Sequence, residues 1–119
     1  MSVYQDMILD HYRNPRNHGT LDHATHAGES KNLSCGDDLS MTIAVKGGTV
    51  DDIRFQGQGC AISQATASLL TEYAKGKSVK TLLALEPKKV MELLGTPLSP
   101  TRMKCALLSL ETLKKTLRI

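Results

Sequence analysis

The spacing of apolar positions switches between a helical period near 3.6 and a strand period of 2 along this chain, and the switches outline its elements. Val3, Tyr4, Met7, Ile8 and Tyr12 recur at helical spacing, and Asn14-Pro15 stops the run. From Arg13 to Ser34 the chain is rich in Asn, His, Gly, Thr and Ser, which predicts loop with at most an irregular strand near Thr25 to Gly28. Leu39, Met41, Ile43 and Val45 then alternate with Ser40, Thr42 and Ala44, and Val50, Ile53 and Phe55 follow Gly47-Gly48. Two alternating runs around a Gly-Gly pair predict a β-hairpin.

Helical signals dominate the second half. Ala61 to Lys75 is built of small and apolar residues with good helix propensity and stops at Gly76. Ser78 can cap a short turn through Leu85, Glu86-Pro87 opens another helix through Leu94, and Gly95, Pro97 and Pro100 break the pattern. A last helix is expected from about Pro100 to Leu117, with Met103, Ala106, Leu107, Leu110, Leu113 and Leu117 on its apolar face. Lys114, Lys115 and Arg118 suit the negative end of its dipole.

The chain has 119 residues, 40% of them hydrophobic, which is enough for one core and short for two, so a single domain over residues 1–119 is expected. Aromatic residues are only 3%, so Leu, Ile, Val, Ala and Met must fill that core. The net charge of +3 is modest and spread out, apart from a rise between Arg102 and Arg118, and stacking aromatics are scarce. A nucleic-acid partner is therefore not expected; the basic helix reads as a solvated face. No apolar run approaches the ~20 residues of a membrane span, and the first ten residues lack the pattern of a secretory signal. A soluble, cytoplasmic protein is expected. Three cysteines cannot all pair within one chain, so free thiols, metal ligands or catalysts are favoured over disulfide staples.

Each cysteine has a local setting that suits an anionic sulfur. Cys35 precedes Gly36-Asp37 just ahead of a strand, where a reachable loop is expected. Cys60 follows Gly57-Gln58-Gly59 at a strand-to-helix switch, so its sulfur is expected near unbonded backbone N–H groups. Cys105 has Lys104 beside it and Arg102 three residues before. With Asp37 the three thiols make four possible ligands for a metal or for sulfur chemistry. Each cysteine taken singly is equally compatible with a small buried hydrophobe, Cys105 most of all.

His11, His18, His23 and His26 show no compact ligand spacing and read as surface residues. Gly57 and Gly59 lack the third glycine of a dinucleotide loop and any Gly-Lys-Ser/Thr ending, so they read as room for the backbone to pass tightly around the Cys60 sulfur, or as a plain bulge.

Several separated motifs together resemble the U-type iron–sulfur assembly proteins, the family of IscU, SufU and the N-terminal domain of NifU. They are His11-Tyr12-Arg13-Asn14-Pro15-Arg16-Asn17 with Gly19, Cys35-Gly36-Asp37, Phe55 to Ser63, and Lys104-Cys105-Ala106. The resemblance implies an α+β fold, with a small antiparallel sheet, helices packed on it and three loops converging on a metal site. It implies a role in iron–sulfur cluster biogenesis with a cysteine desulfurase as partner and downstream assembly proteins or apoproteins as recipients. Cys35, Asp37, Cys60 and Cys105 are then the metal-site residues, and Cys105, or alternatively Cys35, receives the sulfur. Zinc is the implied occupant, with a transient [2Fe-2S] cluster on scaffold members.

Lys104 stands where IscU-like scaffolds carry histidine, and no Leu-Pro-Pro-Val-Lys segment precedes it, as in SufU, the zinc-dependent sulfur acceptor. Yet Cys60 and Cys105 are 45 positions apart, without the insertion typical of SufU. Three thiolates and a carboxylate suit tetrahedral zinc. The expectation is a zinc-binding sulfur relay, with a cluster scaffold as one alternative and a structural zinc-bound adaptor as another. Whether it is a sulfurtransferase-like enzyme or a non-enzymatic scaffold stays open at this point.

Overall fold

The structure, a computed structural model, describes residues 3–32 and 36–118, with side chains from residue 5 onward. Cys35, and the side chains of Val3 and Tyr4 assigned above to the first helical face, lie outside the described residues. The element order is α1 (Val3–Arg13), β1 (His26–Asn32), β2 (Asp37–Lys46), β3 (Thr49–Gln58), α2 (Ala61–Ala74), α3 (Val79–Leu83), α4 (Pro87–Leu94) and α5 (Pro100–Leu117). The fold is α+β.

The hairpin follows from its alternation. Leu39, Met41 and Ile43 on β2 and Val50, Ile53 and Phe55 on β3 are all buried on one face of the sheet. Gly47 and Gly48 turn the chain with φ of 58° and 75°, the positive pair that a two-residue hairpin loop needs. The sheet order is β1-β2-β3, antiparallel throughout, with Ser30 opposite Leu39 and Met41 opposite Phe55.

β1 is a regular seven-residue strand rather than an irregular trace near Thr25 to Gly28. Its sequence, His-Ala-Gly-Glu-Ser-Lys-Asn, carries almost no apolar alternation. Backbone pairing to β2 and packing under α5 hold it, and neither is visible in local sequence. Ahead of it the 14–25 segment crosses the sheet, donating Gly19 N–H to Phe55 O, Leu21 N–H to Thr42 Oγ1 and Thr25 N–H to Ile43 O, each at 2.9 Å.

The helices form at their expected places because their ends are marked. Ser78 and Ser99 accept N–H bonds from Thr81 and Arg102, Pro87 and Pro100 occupy first turns, and Gly95 closes α4 with φ 71°. α2 and α5 pack together and against the sheet, and α1 packs on α2. Two helix faces differ from the apolar pattern. On α5, Met103 is exposed and Leu107 only partly buried, whereas Ser109, Thr112 and Thr116 face inward with Leu110 and Leu113. Their hydroxyls donate to Ala106 O, Leu108 O and Thr112 O, so burial leaves them satisfied.

On α1, Tyr12 is exposed and His11 is buried in its place, contrary to the surface reading of that histidine. His11 Nδ1 lies 2.7 Å from Ser68 Oγ, which also accepts Arg16 N–H at 2.9 Å, and Nε2 lies 3.7 Å from Glu72. A neutral ring that accepts the Ser68 hydroxyl at Nδ1 and turns Nε2–H toward Glu72 satisfies this geometry. Burial holds His11 below the ordinary histidine value of 6.5, helped by the Arg16 charge and opposed by Glu72 and Asp10. The unfolded chain therefore binds the proton more readily. Stability contributed by neutral His11 is complete above the unfolded value and is lost as pH falls below it toward the depressed folded one. The urea midpoint should drop from neutral pH to pH about 5 in the parent, and His11→Gln should flatten that slope. An equal slope in both proteins would remove His11 as its source.

Candidate metal centre

Three segments bring the ligand groups together. Asp37 is the first residue of β2, Cys60 is the N-cap of α2 directly after β3, and Cys105 lies in the second turn of α5. Their ligand atoms all lie within 4.8 Å of one another. Asp37 and Cys105 are buried, and Cys60 is partly exposed, so the group has a wet side and a dry side.

The strand-to-helix switch falls at Cys60, where it was expected. Cys60 takes extended N-cap geometry, but its side chain makes no capping hydrogen bond. Asp37 Oδ1 instead accepts the Cys60 N–H at 2.9 Å, so a carboxylate from the sheet takes a donor at the helix start. Asp37 Oδ2 faces Cys60 Sγ at 3.7 Å. Lys104 and Arg102 are both exposed, while Cys105 points into the protein.

Gly59 explains how the carboxylate fits. Its φ is +146°, and a Cβ there would overlap the Asp37 carboxylate. The tight passage is against Asp37 rather than around the Cys60 sulfur, and only glycine supplies both the conformation and the space. This requirement was not visible from the Gly-x-Gly spelling, because the crowding group stands twenty-two residues away in sequence.

The donor set fits a thiolate-preferring divalent metal. Tetrahedral zinc, with bonds of about 2.3 Å to sulfur and about 2.0 Å to oxygen, sets neighbouring ligands about 3.5 to 3.8 Å apart, and the Cys60–Asp37 separation is already 3.7 Å. None of the four histidines joins Asp37, Cys60 and Cys105 in this group. His18 lies edge-on to Phe55, with ring centroids 5.4 Å apart, and lines a polar pocket with Asp38 and Gln58.

The chain is similar to known proteins over nearly its whole length. Residues 3–118 match the model of the NifU-like N terminal domain, and the chain belongs to that family. It is 34% identical to the zinc-dependent sulfurtransferase SufU of Bacillus subtilis (strain 168), over 96% of this chain and 88% of that protein. It is 41% identical to the iron-sulfur cluster assembly scaffold protein IscU of Aquifex aeolicus (strain VF5), over 92% of this chain and 71% of the relative. A crystal structure from Fervidobacterium islandicum AW-1, of a candidate iron-sulfur cluster assembly scaffold for the SUF system, superposes with a TM-score of 0.80 at 28% identity. That superposition covers 98% of this chain and 96% of the other.

Gly59→Ala should lower stability and displace the Asp37 carboxylate, and in the fraction that folds it should weaken metal binding by about 10- to 100-fold, the usual penalty for losing the groups that orient a ligand. Chelator competition reads the affinity and circular dichroism the fold. Parent-like affinity in Gly59→Ala would show that Asp37 placement does not govern the metal.

Proposed function

We propose that this protein is a zinc-holding sulfur acceptor in iron–sulfur cluster biogenesis, taking persulfide sulfur from a cysteine desulfurase and passing it to downstream assembly proteins or apoproteins. The observation that carries the reading is the convergence of two thiols and a carboxylate from three distant segments, in a chain similar to a zinc-dependent sulfurtransferase. Asp37, Cys60 and Cys105, with Cys35, are the proposed zinc ligands. Zinc, when bound, keeps ligand thiols deprotonated at neutral pH. We take residues 1–119 as one domain working in the reducing cytoplasm, where such thiols persist.

Transfer is a thiol exchange. A thiolate of this chain attacks the outer sulfur of the desulfurase persulfide; a new S–S bond forms, the old one breaks, and the desulfurase cysteine leaves as thiolate with the electron pair. The persulfide proton stays with the transferred sulfur, so charge and atoms balance. Cys105 and Cys35 are the proposed acceptors. Cys105 is 3% exposed, so its role as acceptor requires that its thiol be uncovered when the desulfurase docks.

A second reading, assembly of a [2Fe-2S] cluster as cargo on the same ligands, is favoured by the 41% identity to a scaffold protein. The two separate in one experiment. With radiolabelled cysteine and a desulfurase, the parent should gain one labelled persulfide per chain with zinc retained. Cys35→Ala and Cys105→Ala should each fall to background. Label uptake at the parent rate by both variants would overturn the acceptor assignment, and equimolar iron and inorganic sulfide on the anaerobically purified protein would favour the scaffold.

A further inference from the structure

The outer face of α5 carries a groove that the metal centre does not use. Lys104, Leu107, Glu111, Lys115 and Arg118 follow one another at helical spacing, a stripe of about 21 Å at 1.5 Å per residue. Two adjoining hollows run along it and share Leu107 and Glu111. The one nearer Cys105 is about 470 Å³ and is walled by Lys31 and Asn32 of β1; the other is about 450 Å³ and reaches Pro87, Lys114 and Arg118.

Charge along this groove is uncompensated. Among the described residues, Lys31, Lys104, Lys114, Lys115 and Arg118 form no ion pair; Arg13, Lys77, Lys80, Lys88 and Arg102 form none either, but the first five are the ones gathered along the two adjoining hollows. Five cations face the lone carboxylate of Glu111. The floor is apolar, made by Leu107 and Leu110 with the ring of Pro87 at one end. We propose that this groove docks an acidic segment of a protein partner, its apolar side chains on Leu107 and its carboxylates between the lysines, with one end beside Cys105.

The features choose that chemistry over other polyanions. A nucleic acid would look for stacking rings, and no aromatic residue lines either hollow. Glu111, central to the stripe, repels a continuous row of phosphates but can be straddled by spaced carboxylates on a helix. An anionic membrane would need a broad apolar face, and Leu107 and the 37% exposed Met103 supply only a narrow one. A partner seated here is drawn in by charge and held by leucine contacts, on the same helix that carries Cys105.

The test uses the 15N-labelled full chain and a synthetic peptide of about 14 residues, the length of the stripe as a helix, with leucine on one face and glutamate on the other. Amide shifts should map to Lys31 and to α5 from Lys104 to Arg118, and Lys104→Glu with Lys115→Glu should weaken binding at least about tenfold at low salt. Circular dichroism confirms that the variant folds, both changes being at exposed positions. No shifts on α5 at millimolar peptide, or equal binding of a peptide with lysine in place of glutamate, would overturn the proposal. Tighter binding of single-stranded DNA or of phosphatidylserine vesicles at the same salt would overturn it in favour of phosphate recognition.

Discussion

The hydrogen bond from Cys60 N–H to Asp37 Oδ1 ties the start of β2 to the start of α2, and the centre depends on it. It closes the open end of the hairpin, because Asp38 pairs with Gln58 across β2 and β3 immediately before the chain turns into the helix. A carboxylate held by a helix-start amide is fixed in direction, and its second oxygen is left facing the Cys60 sulfur. Gly59 makes room for that arrangement, so a backbone conformation, a hydrogen bond and a ligand geometry are one constraint.

The place of Cys105 is set by helix packing rather than by loop geometry. Cys105 points inward from α5 because Ala106, Leu110, Leu113 and Leu117 seat that helix on the sheet and on α2. The inward Ser109, Thr112 and Thr116 return their hydroxyls to their own helix, which lets a polar face pack as tightly as an apolar one. Small side chains permit close approach: a Cβ on Gly28 of β1 would crowd Thr116 at 2.6 Å. A rigid helix therefore presents the thiol from one side, and the strand–helix junction presents the other groups opposite.

Much of this was legible in the sequence where the signal is local. The hairpin announces itself through the alternating runs around Gly47-Gly48, broken by one register shift at Ala44/Val45, and α4 and α5 through Pro87, Gly95 and Pro100. β1 was nearly invisible, since its polar residues owe their strand to β2 and α5. Burial of His11 was hidden for a similar reason, its partners Ser68 and Glu72 being more than fifty residues away. Cys60 at a strand-to-helix switch could be read directly, but the Asp37 carboxylate as its backbone partner could not, because a distance of 23 positions leaves no periodic trace. Among the described residues no helix is long and apolar enough to cross a membrane.

The central claim is that sulfur from cysteines and oxygen from Asp37 hold one metal together. Zinc-edge X-ray absorption on the stoichiometrically loaded protein, compared with Asp37→Ala, tests it most directly. The account predicts sulfur-dominated four-coordination, with scatterers at about 2.3 Å and one light atom at about 2.0 Å, and a changed light-atom shell in the variant. A shell dominated by imidazole nitrogen, or a spectrum indifferent to both Asp37→Ala and Cys105→Ala, would contradict it.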